Sequence, residues 1–405
     1  MSRKAPLVLR WILLSKVLSL RCYLSLMDRI CTIIALNYLP QAMALLQSTR
    51  EIYPNGEFFV LIIDASTHEQ SQLAEATVLL PEDLEIPSDW LAEMKTYYDQ
   101  VELATSLKPF LLQTLLTEGV STVTFLDPDI LLFSELTEGI NAAKDSGIAL
   151  VPHRLTPSDI NSTGYSELAF LQYGIFNLGY ISIGQKGKPM LEWWGERLHW
   201  YCTRFPSGEV FTDQKWMNFV PALFDFRTIR NPGYDFAPWN INERHLREID
   251  GTLHANDSPM VFIHFSQMSG LLAAGRKTDL WEKGLSSSIE DSNSLTLISK
   301  LTNDYSKMLV SFGEHIKADT PAAPKSRTNP PLSFHRRQQM ILESIDNARK
   351  GNQKNAIPIS PNPYPGPVRK MIKTLESSAT LNGLRKGLRT DLPKVAQRLR
   401  SFFQR

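Results

Sequence analysis

The chain contains 405 residues, of which 43% are hydrophobic, and it carries a formal net charge of +1. This length allows a sizeable buried core, and the near-neutral charge argues against binding nucleic acid along the whole chain, which usually requires a basic excess. An odd number of cysteines without paired spacing excludes a disulfide scaffold and a cysteine-rich zinc site, and it favours a reducing, cytoplasmic location. The three are Cys22, Cys31 and Cys202.

Residues 1–30 form a basic and apolar N-terminal segment. Its apolar run, Trp11 to Met27, is interrupted by Lys16 and Arg21 and falls short of the ~18 uninterrupted apolar residues that a membrane span needs. A basic start before an apolar run is also typical of a signal peptide, but no small-residue cleavage pattern follows. We expect an amphipathic surface helix or an over-long start, with the folded domain beginning at Cys31.

From Cys31 onward the sequence alternates between strand and helix patterns. Short apolar runs bounded by turn residues are typical of buried parallel strands, and the pattern after Asn37 and Pro40 predicts a helix as far as Tyr53. The predicted strands are 32–36, 57–63, 120–126 and 148–151, with a further helix over 106–116 that Ser106 would cap. This order predicts an α/β fold with a doubly wound parallel sheet.

Polar side chains follow three of these strands at the point where each strand ends. Asn37 follows the first strand, Asp64 follows the second, and Asp127 and Asp129 follow the third. Ligands of doubly wound sheets bind at the carboxyl ends of the strands. The sequence therefore predicts that these residues lie at one ligand-binding edge.

Asp127-Pro128-Asp129 stands between two apolar runs in the segment from Phe125 to Phe133. Two carboxylates at positions i and i+2, where a buried strand ends, can converge on one hard divalent cation, and Mg²⁺ and Mn²⁺ accept such oxygen ligands. The alternative is a turn with two solvated aspartates, because Asp-Pro is common in turns. The apolar runs on both sides favour the metal site.

This arrangement of strand, Asp-x-Asp and strand, after a first strand and helix joined by Asn37-Tyr38, resembles the metal-dependent glycosyltransferases of the GT-A fold. The motifs are similar to those of family 8-like bacterial enzymes, and the resemblance runs from Cys31 to Gly270. The supporting motifs occur in the family's order: Leu107-Lys108-Pro109, Phe176–Tyr180, Thr212–Asn218, Ala237–Asn240 and Phe262–Phe265. The resemblance implies a Rossmann-like, doubly wound mixed sheet of GT-A type, with a helical C-terminal extension.

The resemblance also implies a metal and a donor. Asp127, Asp129 and His264 would bind Mn²⁺ or Mg²⁺ against the diphosphate of a nucleotide sugar, most readily a UDP-sugar, and the cation would stabilise the departing nucleoside diphosphate. Alternatively, His264 is a buried histidine bonded to a backbone carbonyl. The family often continues the His-Phe motif with a Gly and a phosphate-binding Lys. This chain lacks that Lys after His264, so Arg276 or Lys277 would have to substitute.

Four further residues are implied as donor contacts. Asn37 and Asp64 resemble contacts to the base and ribose, and Lys108, in the first turn of a helix, resembles a phosphate contact. Asn177 would bond a sugar hydroxyl beside Gly179, which allows close approach of the backbone. The alternatives are a plain helix N-cap for Asn37 and a solvated helix-face lysine for Lys108.

Asp213 and Gln214 follow Thr212, which is expected to cap a helix, and the resemblance implies that both lie beside the donor sugar. A carboxylate or amide there stabilises an oxocarbenium-like transition state or orients the acceptor hydroxyl. The alternative is that Asp213 only complements the helix dipole. Trp239, next to Asn240, is expected to stack on a sugar, whereas most other tryptophans are expected in the core.

Four regions are predicted along the chain: the N-terminal segment 1–30, a GT-A domain 31–275, a linker and helical region 276–367 with Pro-rich stretches, and a basic amphipathic tail 368–405. The tail carries ten Lys and Arg side chains against two acidic ones, with apolar residues at three- and four-residue spacing. This pattern suits attachment to an anionic membrane surface. A helix docked on its own domain, or a disordered tail, is the alternative.

The sequence as a whole predicts a metal-dependent, hexosyltransferase-like glycosyltransferase that moves a sugar from a nucleotide sugar to a hydroxyl acceptor. The acceptor would be a glycan or a lipid-linked molecule in cell-surface polysaccharide assembly. The protein is expected in the cytoplasm, peripheral on the inner face of the membrane, with no nucleic-acid partner. Two alternatives stay open: a non-catalytic sugar- or nucleotide-binding scaffold of the same fold, and a nucleotidyltransferase.

Overall fold

The structure is a computed structural model, and it describes residues 28–65, 73, 75–159, 165–204, 210–266, 268 and 292–319. The chain divides into two compact units, Met1–Ser326 and Arg327–Arg405, and all described residues belong to the first. The predicted N-terminal apolar run, both Pro-rich stretches and the basic tail lie outside the described residues.

A seven-stranded mixed sheet forms the centre of the unit, with the strand order β3-β2-β1-β4-β7-β6-β8. Strands β1 to β4 are mutually parallel, β7 runs antiparallel to both β4 and β6, and β8 is parallel to β6. The strands are β1 Asp28–Ile34, β2 Glu57–Ile62, β3 Thr77–Leu79, β4 Thr122–Leu126, β6 Ile148–Pro152, β7 Phe176–Gly184 and β8 Arg227–Thr228. The predicted α/β fold with a doubly wound mixed sheet is confirmed.

Helices cover both faces of this sheet, which is why its central strands are buried along their whole length rather than at alternate residues. All five residues of β4 and all nine of β7 are buried. One face packs against α2, α3, α4 and α7, and the other packs against α1 and α5. The helices are α1 Leu39–Ile52, α2 Ser88–Tyr97, α3 Gln100–Ser106, α4 Lys108–Leu115, α5 Thr137–Ser146, α6 Glu167–Tyr173, α7 Lys188–Tyr201, α8 Val220–Leu223 and α9 Ser292–Asp319.

Two small antiparallel sheets complete the described part of the chain. Strands β9 (Leu246–Ile249), β10 (Thr252–Ala255) and β11 (Ser258–Pro259) form one, and β5 (Ile130–Leu132) pairs with β12 (Phe262–His264) in the other. The β5–β12 pair lies immediately after the Asp-x-Asp segment and carries His264 at its end.

The C-terminal helix α9 is part of the core. Its residues Ile298, Leu301 and Tyr305 are at most 2% exposed, and the Tyr305 ring stacks on Phe265 with 4.1 Å between centroids. Helical periodicity from Leu295 to Lys317 predicts a helix within the region 276–367, and the structure confirms it as α9, in the same compact unit as the sheet. Among the residues described, no helix combines the length and apolar character needed to cross a bilayer.

Two predicted boundaries differ from the structure. Strand β1 begins at Asp28, inside the predicted N-terminal segment, because the Asp28 carboxylate is buried where it accepts from Thr122 and Lys144. The helix predicted over 106–116 is α4, Lys108–Leu115, and Ser106 does not cap it but ends α3, a preceding helix that was not predicted and is separated from α4 by a break at Leu107. Pro109 explains the break, since it lacks the N–H that would continue the helical hydrogen-bond pattern.

The burial of Tyr305 predicts a stability effect. Tyr305→Ala is expected to lower the free energy of unfolding by about 3–5 kcal/mol, because it removes a buried aromatic ring and leaves a cavity. Val310→Ala on the same helix, at a 51% exposed position, is expected to change it by less than about 0.5 kcal/mol. Urea unfolding of both variants measures the difference, and equal stabilities would show that α9 does not contribute to the core.

Candidate active site

The Asp-x-Asp segment forms a tight turn at the carboxyl end of β4. The amide of Ile130 donates to the carbonyl of Asp127 at 3.1 Å, and the amide of Asp127 donates to the carbonyl of Gly179 on β7 at 2.8 Å. The side chain of Asp127 is 32% exposed and that of Asp129 is 13% exposed. The turn is therefore held to the central sheet, and the alternative of two solvated aspartates is wrong.

His264 reaches this turn because of strand pairing. In the β5–β12 ladder His264 lies opposite Ile130, and the amide of Phe265 donates to the carbonyl of Asp129 at 2.8 Å. The His264 Nε2 atom is 3.1 Å from Asp129 Oδ1 and 3.8 Å from Asp127 Oδ2. The predicted alternative, an imidazole bonded to a backbone carbonyl, does not describe these contacts.

Gly179 allows His264 to take this position. A Cβ atom at Gly179 would lie 2.5 Å from His264 Cε1 and 2.8 Å from His264 Nδ1, closer than side-chain atoms approach. The glycine noted in the sequence for close backbone approach therefore makes room for the imidazole.

The donor set of this cluster fits a hard divalent cation. One ligand atom from each of Asp127, Asp129 and His264 lies within 4.8 Å of the others, and carboxylate oxygens with one imidazole nitrogen suit Mn²⁺, and Mg²⁺ less closely. The other imidazole nitrogen, Nδ1, faces Asp235 Oδ1 at 3.4 Å. Metal-binding histidines commonly donate this second N–H to a carboxylate.

For both Asp127 and His264, burial and the neighbouring charges act on the pKa in opposite directions. Enclosure raises the pKa of Asp127 to about 6, although the Lys108 ammonium and the His264 imidazole act to lower it. Burial alone would lower the pKa of His264, but the carboxylates of Asp129 and Asp235 outweigh burial and hold that pKa well above its usual value. The carboxylates of Asp129 and Asp235 thus favour a positive charge on or beside the imidazole.

Lys108 and Asp213 form a buried ion pair beside Asp127. Lys108 Nζ is 2.7 Å from Asp213 Oδ2 and 3.9 Å from Asp127 Oδ1, it donates to the carbonyl of Leu178 at 2.8 Å, and it lies over the Phe125 ring. Burial lowers the pKa of Lys108, but both carboxylates raise it further, so the ammonium stays charged. Lys108 is 2% exposed, and the alternative of a solvated helix-face lysine is wrong.

Asp213 and Gln214 lie where the turn Gln214–Phe219, a short 3₁₀ helix, begins. Asp213 occupies the N-cap position that was predicted for Thr212, and its ion pair with Lys108 shows that it does more than complement a helix dipole. The Gln214 Oε1 atom accepts from the amide of Leu178 at 3.1 Å, and its Nε2 donates to the carbonyl of Tyr173 at 3.0 Å. The Gln214 side chain therefore lies against β7, and the Asp213 side chain is linked to β7 through Lys108, which donates to the Leu178 carbonyl.

Asn177 lies in β7 and is 5% exposed. Its Oδ1 accepts from the amide of Gly179 at 2.8 Å, and its Nδ2 is 3.3 Å from His153 Nε2. The contact of Asn177 with a sugar hydroxyl stays a prediction.

Asn37 and Asp64 are exposed at the carboxyl ends of β1 and β2. The Gln100 Nε2 atom at the start of α3 is 3.5 Å from both Asn37 Oδ1 and Asp64 Oδ2, and Asp64 also accepts from the amide of Leu36. Asn37 lies within the 3₁₀ turn Leu36–Tyr38, and the N-cap of α1 is Tyr38, so the N-cap alternative for Asn37 is wrong. Asn37 and Asp64 therefore lie close together, as expected from their positions after neighbouring parallel strands.

Trp239 packs against His264 of the Asp127–Asp129–His264 cluster. It is 8% exposed, its ring meets that of His264 edge-on with 5.2 Å between centroids, and its Nε1 donates to Asp235 Oδ2 at 3.3 Å. The structure therefore gives Trp239 a supporting contact with His264, and its stacking on a sugar stays a prediction.

Three residues near the site were not singled out from the sequence: Gln100, His153 and Asp235. His153 follows β6, so the strand-end rule that found Asp64 would also have found it. Gln100 and Asp235 lack such a signal, because Gln100 begins a helix and Asp235 lies in an irregular segment whose position depends on tertiary contacts.

Comparisons with known proteins give distant similarities. No family model matches the chain. Over 245 residues it is 28% identical to the uncharacterised protein YfnF of Bacillus subtilis (strain 168), which covers 58% of this chain and 80% of YfnF.

Among solved structures, the chain is similar to the galactosyltransferase LgtC in complex with donor and acceptor sugar analogues, at 14% identity and a TM-score of 0.40, covering 67% of this chain and 99% of that one. It is also similar to the glycosyltransferase GlyE of Streptococcus pneumoniae TIGR4, at 14% identity and a TM-score of 0.38, covering 73% of this chain and 65% of that one.

The ion pair of Lys108 and Asp213 predicts an asymmetric pattern of stability. Lys108→Met is expected to lower the free energy of unfolding by about 3–5 kcal/mol, because it leaves the Asp213 carboxylate buried without its cation. Adding Asp213→Asn to that variant is expected to recover part of the loss, since a neutral amide costs less to bury. Thermal or urea unfolding measures both, and a fully stable Lys108→Met protein would contradict the ion pair.

His153 predicts a dependence of stability on pH. Its ring stacks on Phe170, and burial lowers its pKa from 6.5 to about 4. The unfolded chain therefore binds the proton more readily, so this contribution to stability is present above pH 6.5 and is lost as pH falls towards 4. It amounts to about 2 kcal/mol between pH 7 and pH 5.

The corresponding variant is His153→Gln, which has no titrating ring. Its unfolding free energy is expected to fall less steeply between pH 7 and pH 5 than that of the wild type, with urea unfolding at each pH as the measurement. Parallel curves for the two proteins would contradict the burial of a neutral imidazole.

Proposed function

We propose that this protein is a glycosyltransferase that moves a sugar from a nucleotide-sugar donor to a hydroxyl acceptor and uses a divalent cation. The observation that carries the proposal is the convergence of Asp127, Asp129 and His264 at the carboxyl edge of the sheet, next to the Lys108–Asp213 ion pair. This edge is where ligands of doubly wound sheets bind.

When bound, Mn²⁺ or Mg²⁺ would neutralise the charge that develops on the departing nucleoside diphosphate. Asp127, Asp129 and His264 are the ligands from the chain. Their backbones are held by the turn after β4 and by the β5–β12 pairing, so the fold itself brings the three candidate ligands together.

The nucleoside is proposed to bind at the ends of β1 and β2. Asn37 and Asp64 are exposed there and offer amide and carboxylate groups for a base and for ribose hydroxyls, and Gln100 links the two side chains. A UDP-sugar is the proposed donor. A supporting feature is the position of these groups at the ends of β1, which adjoins β4 in the sheet, and of β2, the next strand beyond β1.

The donor sugar is proposed to lie beside Asp213, Gln214 and Asn177. Lys108 acts on the sugar site indirectly in this proposal. Its ammonium already contacts Asp213 and the Leu178 carbonyl and faces Asp127, so we assign it the role of holding the Asp213 carboxylate in place, rather than the phosphate contact expected from the sequence. Gln214 is held through both ends of its amide, which fixes its orientation towards the sugar.

The acceptor class and location are also proposals. We infer a glycan or lipid-linked hydroxyl acceptor in cell-surface polysaccharide assembly, reached from the cytoplasmic face of the membrane. The basic, amphipathic pattern of residues 368–405 supports this location.

The metal role has a direct test. Donor hydrolysis or transfer by the purified protein is expected to require Mn²⁺ or Mg²⁺ and to stop on chelation. Asp127→Asn and Asp129→Asn are each expected to reduce the rate by at least about 100-fold, because a metal centre supplies several kcal/mol of transition-state stabilisation. The measurement is release of nucleoside diphosphate from a panel of nucleotide sugars.

Asp250→Asn is the matched control, because it makes the same substitution at an exposed aspartate in the β9–β10 turn. Its rate is expected to equal that of the wild type. Activity that persists after both chelation and Asp127→Asn would contradict the metal role. Release of pyrophosphate would identify a nucleotidyltransferase, and nucleotide binding without any turnover would identify a non-catalytic scaffold.

A further inference from the structure

The segment behind His264 contains an aspartate in an unusual backbone conformation. Asp235 has φ of 58°, in the left-handed region, and it is fully buried. Residues other than glycine occupy this region at an energetic cost, and they persist there when their surroundings fix them, commonly at functional sites. This strain calls for an explanation in terms of what the Asp235 carboxylate contacts.

Both carboxylate oxygens of Asp235 face groups at the metal cluster. Oδ1 is 3.4 Å from His264 Nδ1, and Oδ2 accepts from Trp239 Nε1 at 3.3 Å. Neither Asp235 Oδ1 nor His264 Nδ1 has a hydrogen-bond partner among the residues that the structure describes, and the 3.4 Å contact between the two atoms is an ion-pair distance. Asp235 Oδ1 and His264 Nδ1 are thus two buried polar atoms that face each other on the Nδ1 side of the imidazole.

Buried neighbours hold the Asp235 backbone in this conformation. The Asp235 carbonyl accepts from Asn240 Nδ2 at 2.7 Å and from Arg244 Nη1 at 3.1 Å. Arg244 and Asn240 are both fully buried, and the amide of His264 donates to the carbonyl of Phe236 at 2.9 Å. The segment and the metal-binding strand are therefore fixed relative to each other.

We propose that Asp235 is a positioning residue for the metal centre, an inference that rests on the proposed function. Its carboxylate accepts the Nδ1 proton of His264 and so selects the tautomer whose Nε2 lone pair points towards Asp127 and Asp129. Trp239 donates to the second carboxylate oxygen and contacts the imidazole in a T-shaped arrangement, and the lack of a Cβ at Gly179 leaves room for the imidazole. Asp235 itself does not touch the metal or the substrate.

The test measures Mn²⁺ affinity by titration calorimetry, without substrate. Asp235→Asn is expected to weaken Mn²⁺ binding by about 10–100-fold, as loss of an outer carboxylate partner does for metal-binding histidines. Asp235→Gly provides a second variant that is favourable for folding, since glycine adopts a positive φ without strain. It is expected to weaken Mn²⁺ binding at least as much.

The matched controls are Asp250→Asn and Asp250→Gly. Asp250 also has a positive φ, 49°, but it is exposed, and both variants are expected to keep the wild-type affinity. Circular dichroism and the melting temperature establish that each variant is folded. A purely structural role for Asp235 would lower the melting temperature without changing the Mn²⁺ dissociation constant.

A double-variant comparison tests whether Asp235 acts through His264. In a His264→Gln background, Asp235→Asn is expected to cause little further loss of Mn²⁺ affinity, because its target is gone. Wild-type affinity in either folded Asp235 variant would overturn the positioning role and leave the proposed function intact. Absence of Mn²⁺ binding by the wild-type protein would overturn both.

Discussion

The candidate site depends on the pairing of two three-residue strands, β5 and β12. The Asp-x-Asp turn ends where β5 begins, and the antiparallel ladder places His264 opposite the first residue of β5. Residues more than a hundred positions apart in sequence thereby become neighbours with a fixed register, and the three candidate ligands are held by backbone hydrogen bonds. A slip of one residue in this short ladder would turn the imidazole to the opposite face.

The acidic side chains around this ladder each lie beside a basic side chain. Lys108 lies between Asp213 and Asp127, and His264 lies between Asp129 and Asp235. A buried ammonium and a buried imidazole thus separate four carboxylates, which would otherwise repel one another in a weakly screening interior. Such networks cost free energy to bury, and their concentration at the carboxyl edge of the sheet agrees with a role in ligand binding rather than in stability alone.

The sequence was most informative where local pattern determines structure. Short apolar runs predicted β1, β2, β4 and β6 because both faces of the sheet are covered, and the strand-end rule then located Asn37, Asp64, Asp127 and Asp129. It was least informative where tertiary contacts decide. Nothing in local spacing indicates that Lys108 is buried against Asp213, or that Asp235 adopts a left-handed conformation behind His264. Helix α9 was recognised as a helix, but its place in the core follows from Phe265 and α1, which periodicity alone does not reveal.

The stacking of Tyr305 on Phe265 has a practical consequence for shortened versions of the protein. Phe265 is the residue after His264, so α9 packs against the strand that carries this candidate ligand. A version cut at the end of the motif-bearing region would retain every candidate ligand and yet expose the apolar back of that strand to water. Trimming for crystallisation or expression should therefore keep the chain at least to Asp319, the last residue of α9.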